Sequence, residues 1–435
     1  SGIHSRCGTH IREFQGMDGV EVICLVDPDK GTFPGRSKEV VERGGKKPKT
    51  YQDIRKALDN KDVDVLTIAT TNHWHALQTI WACQAGKDVY VEKPVSHNVH
   101  EGRVCVEAAR KYDRIVQHGT QSRSSSGWWR LAEIVKRGTY GKLLVSRGLC
   151  YKRRKSIGFK PHTSPPKNVD YNMWLGPAPE QPFNGNLVHY NWHWFWDFGN
   201  GDIGNQGVHE IDRSRWMIPG ATWPKSVIAL GGRFGYEDQA ETANTQIALF
   251  DFGETQLIFE VRALETPPFH GDTRGPILHF EEGMVVKGKF YPKGSNKAQD
   301  LPNVDVDLGP GGGHFGNFIA AVRSRKRSDL NAEILEGHRS AALCHLANVS
   351  YRVGKLVPFK PRTDIQGATD ALYESLDRME KHLVDNDVPI NKIGMRLGRF
   401  LEFDAKTESI KNDPEADIMM TRQYREPFVV PEKIT

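Results

Sequence analysis

The alternation of apolar and polar positions over residues 1–122 predicts strands separated by helices. Apolar, β-branched runs predict strands at residues 19–27, 63–70, 87–91 and 114–117. Helical spacing falls between them, at residues 50–60, 75–86 and 98–111. Strands that alternate with helices of this length are typical of an α/β fold with a parallel, doubly wound sheet. Such sheets bind ligands, most often nucleotides, at the carboxyl ends of their strands.

Residues 123–360 follow a different pattern. Strands are predicted at residues 143–150, 226–231, 245–252, 255–264, 278–280 and 284–290, and a hairpin turn at Phe252-Gly253-Glu254. Antiparallel connections of this kind predict an α+β domain with a large open sheet. We expect one face of the sheet to lie on helices and the other face to be free to cover a site. Helices are also predicted at residues 315–323 and 333–354, and we expect them to pack near the first domain.

The remaining residues, 361–435, are predicted to form a C-terminal helix at 365–383 and an extended arm rich in proline and charge. Arms of this kind cover either a neighbouring subunit or the first domain of their own chain. We therefore expect a homo-oligomer, without a predicted number of subunits.

Charge and composition narrow the possible partners. The 435 residues carry a net charge of only +5, and the basic clusters at 46–49, 152–155 and 323–327 are short and scattered. They favour solvated faces over a nucleic-acid surface. No apolar run approaches the ~20 residues of a membrane span, and the six cysteines have neither metal-ligand nor disulfide spacing. We expect a soluble protein without nucleic-acid or membrane partners, located in the cytoplasm or in the periplasm after folded export.

The first ten residues, SGIHSRCGTH, resemble the second half of a glycine-rich turn followed by a helix start. Such a helix N-terminus faces the pyrophosphate of a dinucleotide, which makes Gly2, Ile3 and Arg6 candidate cofactor-binding residues. Asp27 ends the next strand, where an acid binds the ribose hydroxyls of NAD and disfavours NADP; the alternative is a simple turn cap. We expect a short apolar strand before Ser1.

A more specific motif is AGKDVYVEKP at residues 85–94, preceded by TTNHWH at 70–75. The strand–loop–helix–strand order ending in Glu-Lys-Pro resembles the Gfo/Idh/MocA oxidoreductase family. The resemblance implies that Lys93 contacts the nicotinamide ribose and the substrate hydroxyl. It also implies NAD as cofactor and, as further cofactor-binding residues, Thr70, Asn72, His75, Glu92 and Gln121. The alternative without the resemblance is an ordinary ion pair between Glu92 and Lys93 at the end of the strand.

The stretch GDIGNQGVHEIDRSRW, residues 201–216, resembles a helix of the same family. On this match His209 is the site histidine and the partner of Lys93 in proton transfer, since neutral imidazole accepts a hydroxyl proton near pH 7. Gly207 would let the backbone approach the nicotinamide, and Asp212, one helical turn after His209, would orient the imidazole. The alternative for His209 is a core histidine.

This sequence departs from the family pattern at Asn205, where the family has aspartate. Because an amide cannot ionise, a proton relay through this position is in doubt. Asp202 or Asp197 is an alternative acid, or Asn205 serves only as a hydrogen-bonding group in the substrate site.

The preceding stretch, NWHWFWDFGN at residues 191–200, is rich in aromatic residues. Sugars present C–H faces to indole rings, so this composition favours a carbohydrate ligand. In an extended segment Trp192, Trp194 and Trp196 would share one side, with His193 and Phe195 on the other. Trp192, His193 and Trp194 are therefore candidate substrate-binding residues; the alternative is a hydrophobic plug under the sheet.

Two further groups of residues lie close to this stretch or could reach the substrate pocket. His189 and His193 are four residues apart, but no third ligand accompanies them, so a metal site is not expected. Arg123 and the cluster at residues 152–154 are candidates for the edge of the substrate pocket.

Together these features predict an NAD-dependent oxidoreductase that transfers hydride from a ring hydroxyl of a sugar or glycoside. A second possibility, also implied by the resemblance, is a redox-neutral NAD-dependent glycosidase, in which oxidation, elimination, hydration and reduction leave NAD unchanged. A third is a regulator that binds NAD or sugar and catalyses nothing.

Overall fold

The computed structural model describes residues 1–435. The helices and strands of its first part are α1 (Cys7–Gln15), β1 (Cys24–Val26), α2 (Phe33–Glu42), β2 (Lys49–Tyr51), α3 (Ile54–Leu58), β3 (Val65–Ile68), α4 (Asn72–Gln84), β4 (Asp88–Val91), α5 (Val99–Lys111) and β5 (Val116–His118). All strand pairs among them are parallel, which confirms the predicted α/β class.

These strands form two parallel sheets with Ser1 and Gly2 between them. β1 pairs with β2, while β3, β4 and β5 pair in that order. The Gly2 amide donates to the Val26 carbonyl, and the Ser1 carbonyl accepts from the Ala69 amide, both at 2.9 Å. Beneath these two residues, apolar side chains of both sheets line a slot between β1 and β3. The strand expected before Ser1 stays a prediction.

One local prediction in this part is wrong, and one helix was missed. Residues 50–60 do not form one helix: β2 ends at Tyr51, and α3 begins after Asp53, whose carboxylate accepts from the Arg55 amide as an N-cap. Helix α2 was not predicted, because its Pro34-Gly35 pair is typical of a turn. Proline is tolerated in the first turn of a helix, where it lies here.

The second part continues with α6 (Ser126–Lys136), β6 (Leu143–Tyr151), α7 (Tyr171–Leu175), α8 (Gly201–Gly204), α9 (Gly207–Trp216), β7 (Ser226–Gly232), β8 (Thr245–Asp251), β9 (Gln256–Arg262), β10 (Pro276–Phe280), β11 (Gly283–Val286), β12 (Lys289–Pro292), β13 (Gln299–Asp300), α10 (His314–Ser324), α11 (Ile334–Arg352), β14 (Lys355–Pro358), α12 (Asp370–Asp385), β15 (Gly394–Leu397), β16 (Leu401–Asp404), β17 (Ser409–Ile410) and α13 (Pro414–Ile418).

Its centre is a 12-stranded sheet in which every pair is antiparallel except β6 with β9. The predicted hairpin joins β8 to β9, and Gly253 has a φ of +95° there. Side chains alternate between the faces, as the period of a strand requires. Ala248 and Phe250 pack with residues of α9 and α11, whereas Ile247 and Leu249 pack with residues of α12. The second face is therefore partly covered by the chain's own helix, contrary to the expectation that it is free.

The residues after α12 do more than form an extended arm. β15 and β16 pair with β7, so they join the large sheet. The final segment then returns to the first part, where Phe428 and Val430 are buried in one apolar cluster with Trp74 of α4. None of the helices is both long and apolar enough to span a membrane.

Candidate active site

A cavity lies where β1, β3 and β4 end, between the N-terminus of α1 and the aromatic segment before α8. This edge is where parallel α/β sheets bind ligands. The structure brings most of the predicted site residues to its walls: Gly2, Arg6, Asp27, Thr70, Asn72, His75, Glu92, Lys93, Gln121, Trp192, His193, Asn205 and His209.

Asp27 holds the turn before α1. Its carboxylate oxygens accept from the Ile3 amide at 2.8 Å and from the Asp29 amide at 2.9 Å, and burial raises its pKa to about 6. Ile3 is fully buried and does not line the cavity, so its amide and not its side chain serves the site. Gly2 has a φ of +75°, and a Cβ there would lie 2.5 Å from the Thr70 amide nitrogen. Only glycine fits this close approach.

Several polar groups on the nucleotide side of the cavity lack protein partners. No side chain caps the N-terminus of α1, whose N-cap residue is Arg6. Asn72 Oδ1 and Gln78 Oε1 are buried without a hydrogen-bond partner, and both residues line the cavity. A buried polar group without a partner costs free energy. Phosphate oxygens suit the open helix end, and hydroxyl or amide donors suit the two side-chain oxygens, so these residues fit a dinucleotide.

Glu92 is the anionic centre of the cavity. It accepts from Arg6 Nε at 2.9 Å and lies 3.1 Å from His10 Nε2. Although burial opposes ionisation, the hydrogen bond from His10 and the charge of Arg6 hold the pKa of Glu92 well below its ordinary value. Sequence reasoning missed His10. The signal was its spacing, because Arg6 and His10 are four residues apart and share one face at the start of α1.

Lys93 points its amine at the segment before α9. Nζ donates to the Asn205 backbone carbonyl at 2.7 Å and lies 3.3 Å from Asn205 Oδ1. Burial lowers the pKa of Lys93, against the opposing charge of Glu92. The Lys93–Pro94 peptide bond is cis, and the ring nitrogens of His75 lie 2.6 Å from the Pro94 carbonyl and 3.0 Å from the Thr70 carbonyl. His75 thus links the loop after β3 to the loop after β4, and both loops carry residues that line the cavity.

His209 lines the same cavity from α9, and its ring makes no hydrogen bond to protein. Burial and the nearby charge of Lys93 lower its pKa to about 3, so the imidazole is neutral. At Gly207 the protein leaves no room for a side chain, because a Cβ there would lie 2.9 Å from the ring of Phe259. This glycine allows α9 to pack closely on β9.

The aromatic segment does not form one stacking surface. Residues 191–194 make a 3-10 turn, so the tryptophans diverge, contrary to the extended arrangement expected. Trp192 lines the cavity and stacks on His193 with 3.6 Å between ring centroids. Trp194 is buried outside the cavity, with the Arg154 guanidinium 5.0 Å from its ring. His189 lies 3.0 Å from an Asp29 oxygen and stacks on His4.

Arg123 and Asp212, which were predicted for the substrate site, do not line this cavity. Arg123 Nε donates to both carboxylate oxygens of Asp212 at 3.0 Å, and Ser340 Oγ donates to one of them at 2.7 Å. Glu336 and Arg215 complete the network. Asp212 therefore pairs with a buried guanidinium and does not orient the imidazole one turn before it.

The two alternative acids are also engaged elsewhere. Asp202 forms an ion pair with Arg154, with Nη2 and Oδ1 2.6 Å apart. Asp197 does not line this cavity and accepts from Gln181 at 3.0 Å. Neither replaces the missing carboxylate at position 205.

Two family models match the chain: "Oxidoreductase family, NAD-binding Rossmann fold" over residues 5–120 and "Oxidoreductase family, C-terminal alpha/beta domain" over residues 155–383. The chain belongs to the Gfo/Idh/MocA oxidoreductase family. Its first domain is the NAD-binding Rossmann domain of that family, and NAD is its cofactor.

Among curated relatives, an inositol 2-dehydrogenase of Salmonella typhimurium is 30% identical over 144 residues, which span 33% of this chain and 42% of the relative. A glycosyl hydrolase family 109 protein of Shewanella pealeana is 26% identical over 147 residues, 33% of this chain and 32% of the relative. These matches span less than half of either relative.

Among solved structures, the WlbA dehydrogenase of Bordetella pertussis in complex with NADH and UDP-GlcNAcA has a TM-score of 0.60 at 17% identity, covering 81% of this chain and 94% of that one. Levoglucosan dehydrogenase in complex with NADH and levoglucosan has a TM-score of 0.53 at 16% identity, covering 79% and 92%. These similarities establish the two-domain fold.

Proposed function

We propose that this protein is an NAD-dependent oxidoreductase that oxidises a ring hydroxyl of a sugar or glycoside. The observation that carries the proposal is that Lys93 and His209 share one cavity with the nucleotide-side residues. Burial lowers the pKa of both side chains, which favours the neutral forms that accept a proton. The similarity to an inositol 2-dehydrogenase supports a polyhydroxylated ring as substrate.

NAD+ would accept the hydride from the carbon that bears the hydroxyl. Lys93 would take the hydroxyl proton, since its amine is held at a fixed point by the Asn205 carbonyl. The adjacent Glu92 carboxylate would stabilise the ammonium that results. Neutral His209 would hydrogen-bond the same oxygen or relay its proton, and Trp192 would pack against the C–H face of the ring.

On the cofactor side we assign roles by position. The Asp27 carboxylate would accept hydrogen bonds from the ribose hydroxyls, and the amides at the start of α1 would face the pyrophosphate. Thr70, Asn72 and His75 would line the nicotinamide half. The remaining cofactor contacts are assigned to Gly2, Arg6, Glu92 and Gln121.

A second candidate function is redox-neutral glycoside cleavage, which the similarity to glycosyl hydrolase family 109 proteins favours. The same residues would serve it. Lys93 and His209 would move protons during a transient oxidation of the sugar, the aglycone would leave, water would add, and NAD would end in its starting form.

The test is mass spectrometry of nitrophenyl glycosides, free sugars and inositols incubated with the protein and stoichiometric NAD+. A product lighter by two hydrogens, with NADH formed, supports the dehydrogenase. Free sugar and nitrophenol without net NADH support the glycosidase and contradict the dehydrogenase. No turnover of any compound by NAD-loaded protein contradicts both and favours a ligand-binding regulator.

A further inference from the structure

A second polar cavity lies on the other side of the aromatic segment. Its walls come from the start of α5, from residues 196–200, from the end of α11 and from the residues after α13. It shares no residue with the candidate active site. The segment at residues 191–200 thus supplies Trp192 and His193 to the first cavity, and Trp196 and Asn200 to this one.

Three side chains that line this cavity each carry a buried polar atom without a hydrogen-bond partner. Arg422 Nη1 donates to His97 Nδ1 at 3.3 Å, and burial holds the pKa of His97 well below its ordinary value. A neutral ring that accepts at Nδ1 carries its proton on Nε2, and Nε2 is buried without a partner. Asn200, only 5% exposed, donates to the His97 carbonyl but leaves Oδ1 unpaired. His345, 3% exposed, leaves Nδ1 unpaired.

The cavity also holds an arginine without a direct partner. Arg352, at the end of α11, is an exposed residue whose guanidinium lies 4.9 Å from the ring of Trp196 and makes no side-chain hydrogen bond or ion pair. The one carboxylate that lines the cavity, that of Asp197, lies 3.6 Å from Arg422 Nη2. Arg422 differs, because it donates to the Asp197 carbonyl at 2.8 Å. A free guanidinium fork matches a carboxylate, and the indole beside it offers an apolar face to C–H groups.

We propose that this cavity is a binding site for a small carboxylate that carries hydroxyl groups, such as a sugar acid. The carboxylate pairs with Arg352. One hydroxyl donates to Asn200 Oδ1, and another oxygen accepts from His97 Nε2. The ligand satisfies at once the donor, the acceptor and the cation that the protein leaves unpaired. The site does not depend on which reaction occurs in the first cavity.

The test is calorimetric titration of the full chain, loaded with NAD, with D-gluconate as probe. Acetate lacks the hydroxyls and sorbitol lacks the carboxylate. We expect gluconate to bind at least about tenfold more tightly than either, which corresponds to one well-formed charge-assisted contact. Arg352→Gln should weaken gluconate binding by about tenfold or more.

Two control variants locate the binding. Arg137→Gln removes an arginine that is 57% exposed in a surface ion pair, and it should leave the affinity unchanged. His209→Asn alters the first cavity and should also leave it unchanged. Absence of gluconate binding, equal affinity in Arg352→Gln, or loss of binding in His209→Asn would each overturn the proposal.

Discussion

Two clusters of ionisable residues lie one helical turn apart on α9, and they satisfy their polar groups in opposite ways. Around Asp212 every charge is paired: Arg123, Ser340 and Glu336 close the network. Around His209 the imidazole makes no protein hydrogen bond, and Lys93 has only neutral oxygens as partners. Unpaired groups at a cavity wall, and not buried charges as such, therefore distinguish a binding site from a structural network.

The largest expected effect is a loss of activity, and it should come from a substitution in the cluster of His209 and Lys93. Lys93→Ala should lower kcat/KM by about 10³-fold, the loss typical of a missing proton-transfer group. The thermal unfolding midpoint should stay close to that of the wild type, because no ion pair is lost. Lys142→Ala, which removes a lysine that is 62% exposed, is the matched control. Activity retained in Lys93→Ala would remove this residue from the mechanism.

In the cluster around Asp212, a substitution should lower the stability of the protein and leave its affinity for NAD unchanged. Arg123→Met leaves the Asp212 carboxylate buried without its cation, which costs about 3–5 kcal/mol of the free energy of unfolding. Urea denaturation followed by circular dichroism measures this loss, with Arg137→Met as the exposed control. Calorimetry should find an NAD affinity near that of the wild type for the folded fraction. A stable variant with weakened NAD binding would place Arg123 in the site after all.

A smaller effect should follow from restoring the family's aspartate. In Asn205→Asp a carboxylate would lie beside the Lys93 amine and raise its pKa by about one unit or more. Because the neutral amine is the base, the rising limb of kcat/KM against pH should move to higher pH. Asn205→Ala keeps the backbone carbonyl and should leave the limb nearly in place. A limb that does not move in Asn205→Asp would exclude Lys93 as the titrating base.

The smallest effect should be the pH dependence of cofactor binding. Burial raises the pKa of Asp27 to about 6, and only its ionised form accepts from both ribose hydroxyls. NAD affinity should therefore be constant above this pH and fall about tenfold per unit below it. Fluorescence titration from pH 5 to 8 measures this, with exposed Asp18→Asn as control. Constant affinity across the range would show that Asp27 does not bind the ribose.

Sequence patterns predicted those parts of the molecule that are formed by residues close together in the chain. The alternation of apolar runs and helical spacing gave the parallel strands at 65–68 and 88–91, and the Glu92-Lys93-Pro94 motif located the cavity. Both follow from residues close together in the chain. Asp212 was predicted to orient His209 from its position one helical turn later, but helical spacing does not reveal the buried ion pair that its carboxylate makes with Arg123.

The second cavity shows what local patterns miss. His97, Asn200, Arg352 and Arg422 come from four separate segments, and no spacing rule connects them. The divergence of the tryptophans has a similar cause: the composition of residues 191–196 suits an extended segment, and the 3-10 turn at residues 191–194 directs successive rings differently.

The return of the C-terminal segment to helix α4 has a consequence for the order of folding during synthesis. Phe428 packs edge-on against Trp74 with 5.4 Å between ring centroids, and Arg55 lies 5.5 Å from the same phenylalanine ring. A ribosome must therefore release the whole second domain before this surface of the first domain is covered. Until then the nascent nucleotide-binding domain exposes two tryptophans, Trp74 and Trp81, to solvent and to chaperones.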